Sequence, residues 1–147
     1  MARSNTEGID ELMLSMQQVA ELPDEVADDM LQAGAKIVAQ AQKNRYRTQL
    51  FDTGTLANSI KVSRMKTKRD GSRFLAVYPL GTHSTYTHKG KTIKVRNAEV
   101  AFVHEYGAPK RGIAAKGIMR AANEESAPSA VAAEAAVYDA WLTKNNL

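Results

Sequence analysis

The chain has 147 residues and a formal net charge of +4, and 44% of its residues are hydrophobic. That content is too high for a wholly disordered chain, and the length fits one domain with a core, with or without arms. The lack of cysteine excludes disulfides and thiolate metal sites. No apolar run approaches the roughly 20 residues that span a bilayer. The first residues lack the apolar core of a secretory signal.

The charges are unevenly distributed along the chain. Of the 20 Lys and Arg residues, 18 lie between Lys36 and Arg120, whereas eight of the 16 Asp and Glu residues lie at or before Asp29. The N-terminal part is therefore acidic and the middle is basic. This polarity suits head-to-tail contact between subunits, contact with another charged partner, or contact with nucleic acid. A solvated charged surface accounts equally well for any single run.

The first predicted element is a helical arm over residues 1–22. Ser4 and Glu7 have the spacing of a capping box. Apolar residues then recur at helical spacing, namely Ile9, Leu12, Met13, Met16 and Val19. Pro23 interrupts this pattern and suits the first turn of a following helix.

A longer helix is predicted to follow Pro23. Its apolar face consists of Val26, Met30, Ala33, Ile37 and Ala41. We predict that residues 23–147 form a single α+β domain, in which a small antiparallel β-sheet with projecting hairpins packs against this helix and a C-terminal helix.

The middle of the chain is predicted to form turns and strands. Leu56 and Ile60 are four residues apart and can close one helical turn onto the core. From Ser59 the pattern alternates as in a strand, Lys68–Ser72 contains an Asp-Gly turn signal, and 74–78 is predicted to return as a second strand that ends at Pro79.

The next segments are predicted to be a second hairpin and a third core strand. The polar segment 81–97 contains one strand-like run, 92–95, and is predicted to project from the sheet. Residues 99–106 alternate enough to predict a core strand with Val100 and Phe102 buried.

The C-terminal part is predicted to be helical over about residues 117–144. Ile118 to Glu125 begins this helix, and Ser126-Ala127-Pro128 is predicted to break or restart it because proline is tolerated only in a first turn. The final face consists of Val131, Ala135, Tyr138 and Leu142.

Three short motifs follow one another in the chain. They are an Asp-Thr-Gly-x-Leu-x-x-Ser-Ile run, a Glu-Tyr-Gly run, and a degenerate segment over 117–122 that keeps an apolar pair and an arginine but lacks two prolines. Their residues are Asp52, Thr53, Gly54, Leu56, Ser59, Ile60, Glu105, Tyr106, Gly107 and Arg120. In this order and spacing, over about residues 24–125, the chain resembles the tail-completion (neck) family of long-tailed bacteriophages.

The resemblance implies a virion protein that joins the tail to the DNA-filled head, with no enzymatic activity and no cofactor. It implies a homo-oligomeric ring of sixfold or twelvefold symmetry that contacts head-completion or connector proteins on one side and tail-terminator or tail-tube proteins on the other. It also implies a location in the virion neck, with assembly in the host cytoplasm and no membrane contact.

Two kinds of catalytic site, an aspartic protease and a metal-dependent hydrolase, can be tested against the sequence. A single Asp52-Thr53-Gly54 would need a homodimer to supply the second carboxylate of an aspartic protease, and the helical segment before it does not fit such a fold. His83, His88, His104 and Glu105 are alternative metal ligands, but none of them has the His-Glu-x-x-His spacing. We expect these histidines to be surface residues.

The basic segments are the strongest candidates for partner contact. The cations are Lys61, Arg64, Lys66, Lys68, Arg69, Arg73, Lys89, Lys91, Lys94 and Arg96. We expect them to contact an acidic surface of a neighbouring subunit or ring, because a strong cationic grip would hinder DNA that must slide through a conduit. Non-specific contact with genomic DNA in the lumen is the second interpretation, and a sequence-nonspecific nucleic-acid-binding domain is the alternative function. Few aromatic residues are interleaved, so base stacking is unsupported.

Overall fold

The computed structural model describes residues 22–50 and 54–147. Its elements in chain order are α1 (Asp24–Gln49), α2 (Thr55–Ser59), β1 (Ile60–Val62), β2 (Lys66–Thr67), β3 (Arg73–Phe74), β4 (Val77–Pro79), β5 (Thr82–His88), β6 (Lys91–Arg96), α3 (Asn97–Tyr106), a 3₁₀ turn (Pro109–Arg111) and α4 (Ile118–Lys144). The predicted arm lies outside the described residues except for Leu22, as do Asp52 and Thr53 of the first motif.

Helices α1 and α4 form a long antiparallel pair. Near the end of α1, the guanidinium of Arg45 lies 2.6 Å from the carboxylate of Glu125, and the Gln42 amide donates a 2.8 Å hydrogen bond to the Asn123 side chain. Buried alanines on both helices allow the two backbones to approach closely. They are Ala27, Ala35, Ala39, Ala122 and Ala130.

Helix α4 continues through Pro128 without a break, so the prediction that Pro128 interrupts the helix is wrong. Proline leaves the carbonyl of the residue four positions earlier without its helical donor. That residue is Glu124, and both Glu124 and Pro128 are exposed. Water can therefore satisfy the carbonyl, and the packing of α4 against α1 holds the helix together.

The strands form three antiparallel pairs, β1–β4, β2–β3 and β5–β6. In the first pair Ile60 lies opposite Pro79 and Val62 opposite Val77. The α+β class and both predicted hairpins are confirmed, although the strands form separate two-stranded ladders and not one sheet. The hairpin over 68–72 closes through the Lys68 amide, which donates to the Ser72 carbonyl at 2.8 Å.

The main core lies where the end of α1, α2, β1, α3 and the start of α4 meet. Leu56 and Ile60 are both buried there, as their spacing predicted, and Tyr46 fills the space beside them. The buried members are Ala39, Tyr46, Leu50, Leu56, Ala57, Ile60, Ala101 and Ile118. Within the described residues, no helix is both long and apolar enough to cross a membrane.

The prediction of a third core strand over 99–106 is wrong, because Asn97–Tyr106 is a helix. Its start is fixed by two hydrogen bonds. The buried Asn97 side chain donates to the Leu80 carbonyl at 2.9 Å, and the Glu99 carboxylate accepts from the Arg96 amide at 3.1 Å. Ala101 is therefore buried while Phe102, predicted to be buried, is 62% exposed.

Candidate functional site

The described part of the first motif, Gly54 to Ile60, contains the short helix α2 and leads directly into β1. Gly54 has φ +77° and precedes α2, a conformation that disfavours any residue with a side chain. Leu56, Ser59 and Ile60 are all buried, and the Ser59 hydroxyl donates to the Leu56 carbonyl at 2.6 Å. The described part of this motif therefore points inward and supports the core.

Glu105 of the second motif caps the C-terminal helix. Its carboxylate accepts hydrogen bonds from the backbone amides of Met119 at 2.8 Å and Arg120 at 3.2 Å. These amides lie in the first turn of α4, where donors lack helical partners and a negative charge is favoured. The second motif is thus joined to the degenerate third one, and Glu105 anchors a helix start that has no proline.

Gly107 allows the backbone to make a close contact that no side chain would permit. Its φ is +76°, and a Cβ at this position would lie 2.7 Å from the Ile113 carbonyl oxygen and 2.8 Å from the Ala115 amide nitrogen. The opposing atoms belong to the backbone of the loop that leads into α4. Gly107 therefore permits the loop to fold back against the end of α3.

Tyr106, between these two residues, points outward. It is 66% exposed, and its ring lies 4.7 Å from that of Phe102, centroid to centroid, at an angle of 47°. The two rings border an open groove of about 550 Å³, which is also lined by Pro79, Ala98, Ala101, Glu105, Met119, Arg120, Asn123 and Glu124. We call the groove and the two rings the aromatic patch. Arg120, predicted as part of the third motif, lies at its edge.

Part of the basic surface predicted on the β2–β3 hairpin makes contacts within the subunit. Arg73 lies 2.6 Å from the Asp24 carboxylate and donates to the Leu22 carbonyl at 3.0 Å. The ammonium of Lys68 lies 5.4 Å from the centre of the Phe74 ring. At the hairpin tip, hydrogen bonds from the Ser72 hydroxyl and then the Ser72 amide hold the pKa of Asp70 below its ordinary value. Arg73 is thus a structural residue here, while Lys66, Lys68 and Arg69 remain exposed.

The β5–β6 hairpin is the more uniformly cationic of the two. Lys89, Lys91, Lys94 and Arg96 are exposed, and no Asp or Glu occurs between residues 82 and 97. Tyr86 lies opposite Ile93 across the ladder, and both side chains are exposed. The hairpin therefore combines positive charge with a small apolar surface. Lys61 and Arg64, on and after β1, are also exposed.

Two of the residues considered as metal ligands, His83 and Glu105, have other hydrogen-bond partners. His83 hydrogen-bonds the Asn97 side chain at 3.1 Å, and Glu105 is engaged in capping α4. In the segments 22–50 and 54–147, no group of three or more His, Cys, Asp or Glu side chains could hold a metal ion.

A comparison with family models identifies the kind of protein that carries these surfaces. The model described as "Bacteriophage HK97-gp10, putative tail-component" matches residues 10–90, more than half of the chain. The chain belongs to this family. Membership in the HK97-gp10-like family assigns it a structural role as a phage tail component, which contacts other virion proteins. Searches of the curated proteins and of the solved structures found no match.

The aromatic patch was not predicted from the sequence, because Phe102 was expected in the core. Phe102 and Tyr106 are four residues apart, and this spacing places them side by side only on a helix. The sequence signal for that helix was weak, because its capping box pairs Glu99 with Arg96, and arginine is not among the residues preferred at an N-cap.

Proposed function

We propose that this protein completes the phage tail and joins it to the DNA-filled head as one subunit of a sixfold or twelvefold ring in the virion neck. Neighbouring rings would be head-completion or connector proteins on one side and tail-terminator or tail-tube proteins on the other. Assembly takes place in the host cytoplasm. Function comes from complementary surfaces, with no bond chemistry.

The observation that carries this proposal is the exposure of Tyr106. Its motif neighbours Glu105 and Gly107 each stabilise the subunit, but the Tyr106 ring contacts mainly the equally exposed Phe102. Paired exposed aromatic rings beside an open groove are typical of protein interfaces, where Tyr and Phe are enriched. We therefore assign the aromatic patch to contact with a neighbouring subunit.

A closed ring requires a second, different surface on each subunit, because head-to-tail contacts join unlike patches. The β5–β6 hairpin suits this role. It carries the exposed pair Tyr86 and Ile93 together with cations, and the aromatic patch includes the exposed carboxylate of Glu124. Apolar contact with flanking opposite charges would fix the orientation of one subunit on the next.

The test is complementation of a phage that lacks this protein. Without it, we expect filled heads and tails to accumulate unjoined in electron micrographs of the lysate. Supplying the Tyr106→Ser chain should leave most of them unjoined, whereas Tyr78→Ser, which removes an exposed tyrosine from β4, should restore joined virions. Intact, joined virions from the phage lacking the protein would contradict the proposal.

The second candidate function is sequence-nonspecific binding of nucleic acid, and the β5–β6 hairpin favours it because no Asp or Glu occurs between residues 82 and 97. This function predicts duplex binding that weakens steeply as salt rises. Reversing the charges of Lys66, Lys68 and Arg69 together should also weaken binding. Fluorescence anisotropy with a labelled duplex would measure both effects, and an absence of binding at low salt would remove this candidate.

A further inference from the structure

We propose that a groove between the helix pair and strands β3 and β4 is the docking site of this chain's own residues 9–20. The groove consists of two adjoining hollows of about 270 Å³ and 430 Å³, which share Leu31 and Glu134. Its lining is mostly apolar and includes Leu22, Met30, Leu31, Val38, Val77 and Val131, while Arg73, Gln42, Asn123 and Glu134 add polar groups. Val131 is 63% exposed, so a large apolar side chain on α4 lacks cover among the described residues. We call this site the arm groove.

The described chain begins at one end of the arm groove. Leu22 lines it, and Arg73 holds the Leu22 carbonyl at 3.0 Å while also pairing with Asp24. The chain that precedes Leu22 therefore leaves from a fixed point at the edge of the groove. Residues 9–20 are joined to that point by a single residue, Glu21.

The length of the arm matches the length of the groove. As a helix, residues 9–20 would be about 18 Å long, and α1 rises about 21 Å from Asp24 to Val38. A reversal at Leu22-Pro23 would lay the arm antiparallel to α1, the usual arrangement of two helices with a short connection.

The chemistry of the arm also matches the groove. Its apolar residues have one-face spacing, and they are Ile9, Leu12, Met13, Met16 and Val19. Its charged residues are Arg3, Glu7, Asp10, Glu11 and Glu21, whereas the hairpin beside Leu22 carries Lys66, Lys68 and Arg69 in addition to Arg73, which is already paired with Asp24. The acidic arm and the basic hairpin attract each other.

The short connection decides between this chain's own arm and the arm of another copy. An intramolecular segment with a one-residue link has a high effective concentration at its site, which a separate chain reaches only at high protein concentration. Docking within the same chain is therefore favoured. It leaves the aromatic patch and the β5–β6 hairpin uncovered for neighbours.

Introduced cysteine pairs test the docking directly, since the chain has no cysteine. In the full chain carrying Met16→Cys and Met30→Cys, we expect a disulfide within one chain under mild oxidation. The matched control pairs Gln18→Cys with Met30→Cys, because Gln18 lies on the opposite face of the predicted helix. Equal cross-linking of both pairs, or of neither, would overturn the proposal. So would a disulfide that links two chains of the double variant, or one that forms as readily when Met16→Cys and Met30→Cys are placed on separate copies and mixed.

Proteolysis provides a second readout that needs no cysteine. A protease that cleaves after glutamate should cut slowly after Glu11 in the native full-length chain. Val131→Asp places a charge in the arm groove and should raise that cleavage rate at least fivefold, while Ala132→Asp, an exposed neighbour on α4 outside the groove, should leave it unchanged. Equal rates in the native chain and both variants would contradict docking. Because neither experiment measures head–tail joining, their failure leaves the proposed neck function intact.

Discussion

Glu105 and Gly107 differ in role from the aromatic patch beside them. The Glu105 carboxylate caps α4. Gly107 has no Cβ, and a Cβ at this position would lie within 3 Å of backbone atoms of the loop that leads into α4. In the patch, Phe102 and Tyr106 are mostly exposed and contact each other. The difference teaches that one short motif can combine residues that hold the subunit together with a residue available to a partner. Substitutions can separate these two roles.

The largest expected effect is at Gly107. Gly107→Ala introduces a Cβ that collides with backbone atoms at a positive φ, so we expect unfolding to become easier by about 3 kcal/mol. The matched control is Gly112→Ala, where φ is +68° but nothing lies within 4 Å, and it should cost only about 1 kcal/mol. Urea denaturation followed by circular dichroism measures both. Similar losses in the two variants would show that the close backbone contact is unimportant.

The second effect is the loss of the α4 cap. Glu105→Ala removes the acceptor for the Met119 and Arg120 amides and should lower the free energy of unfolding by about 1–2 kcal/mol. Glu124→Ala, which removes an exposed carboxylate from α4 itself, should change the free energy of unfolding by less than about 0.5 kcal/mol. If the two variants were equally stable, Glu105 would not be acting as a cap.

The third effect depends on pH and concerns Tyr46, which is buried in the main core. Burial, and then the charge of Glu105, raise the pKa of Tyr46 above its ordinary value. The folded chain keeps this proton when the unfolded tyrosine ionises near pH 10, so the contribution is present below about pH 10 and is lost as the pH rises further. The Tyr46 hydroxyl has no hydrogen-bond partner in the described residues.

Tyr46→Phe should therefore leave stability at pH 7 unchanged or raise it by up to about 1 kcal/mol, and it should weaken the alkaline loss. Thermal unfolding at several pH values between 7 and 11 measures this. A variant that is clearly less stable at pH 7 would indicate that the hydroxyl has a partner outside the described segments.

The smallest effect on stability is expected in the β5–β6 hairpin. Exchanging Lys91 and Lys94 together for glutamate should change the free energy of unfolding by less than about 0.5 kcal/mol, because both side chains are exposed. The same variant should fail to restore head–tail joining in complementation. Full restoration would exclude these two cations from the assembly surface.

The elements that the sequence predicted well are those with local signals. The apolar spacing after Pro23 predicted α1, and the Asp70-Gly71 pair predicted the β2–β3 hairpin. Helix α3 was missed because Val100 and Phe102 also fit a strand, and because its start depends on Asn97 contacting the distant Leu80 carbonyl.

Long-range contacts also account for what the sequence did not reveal about the site. The spacing of Glu105 from the α4 amides is set by how the intervening loop folds over Gly107. Arg73 was predicted as a partner contact, but its pairing with Asp24 and Leu22 joins segments about fifty residues apart. The exposure of Tyr106 also depends on long-range packing, because it follows from residues 97–106 forming a helix and not a core strand.

The central claim is that Tyr106 serves contact between subunits and not the stability of one subunit. The most direct measurement compares Tyr106→Ser with the native chain by analytical ultracentrifugation and urea denaturation of the same samples. The account predicts that the variant loses the ring-sized species while its free energy of unfolding, measured as a dissociated subunit, stays within about 0.5 kcal/mol of native. A variant that keeps the native assembly, or one whose subunit is destabilised by about 2 kcal/mol or more, would contradict it.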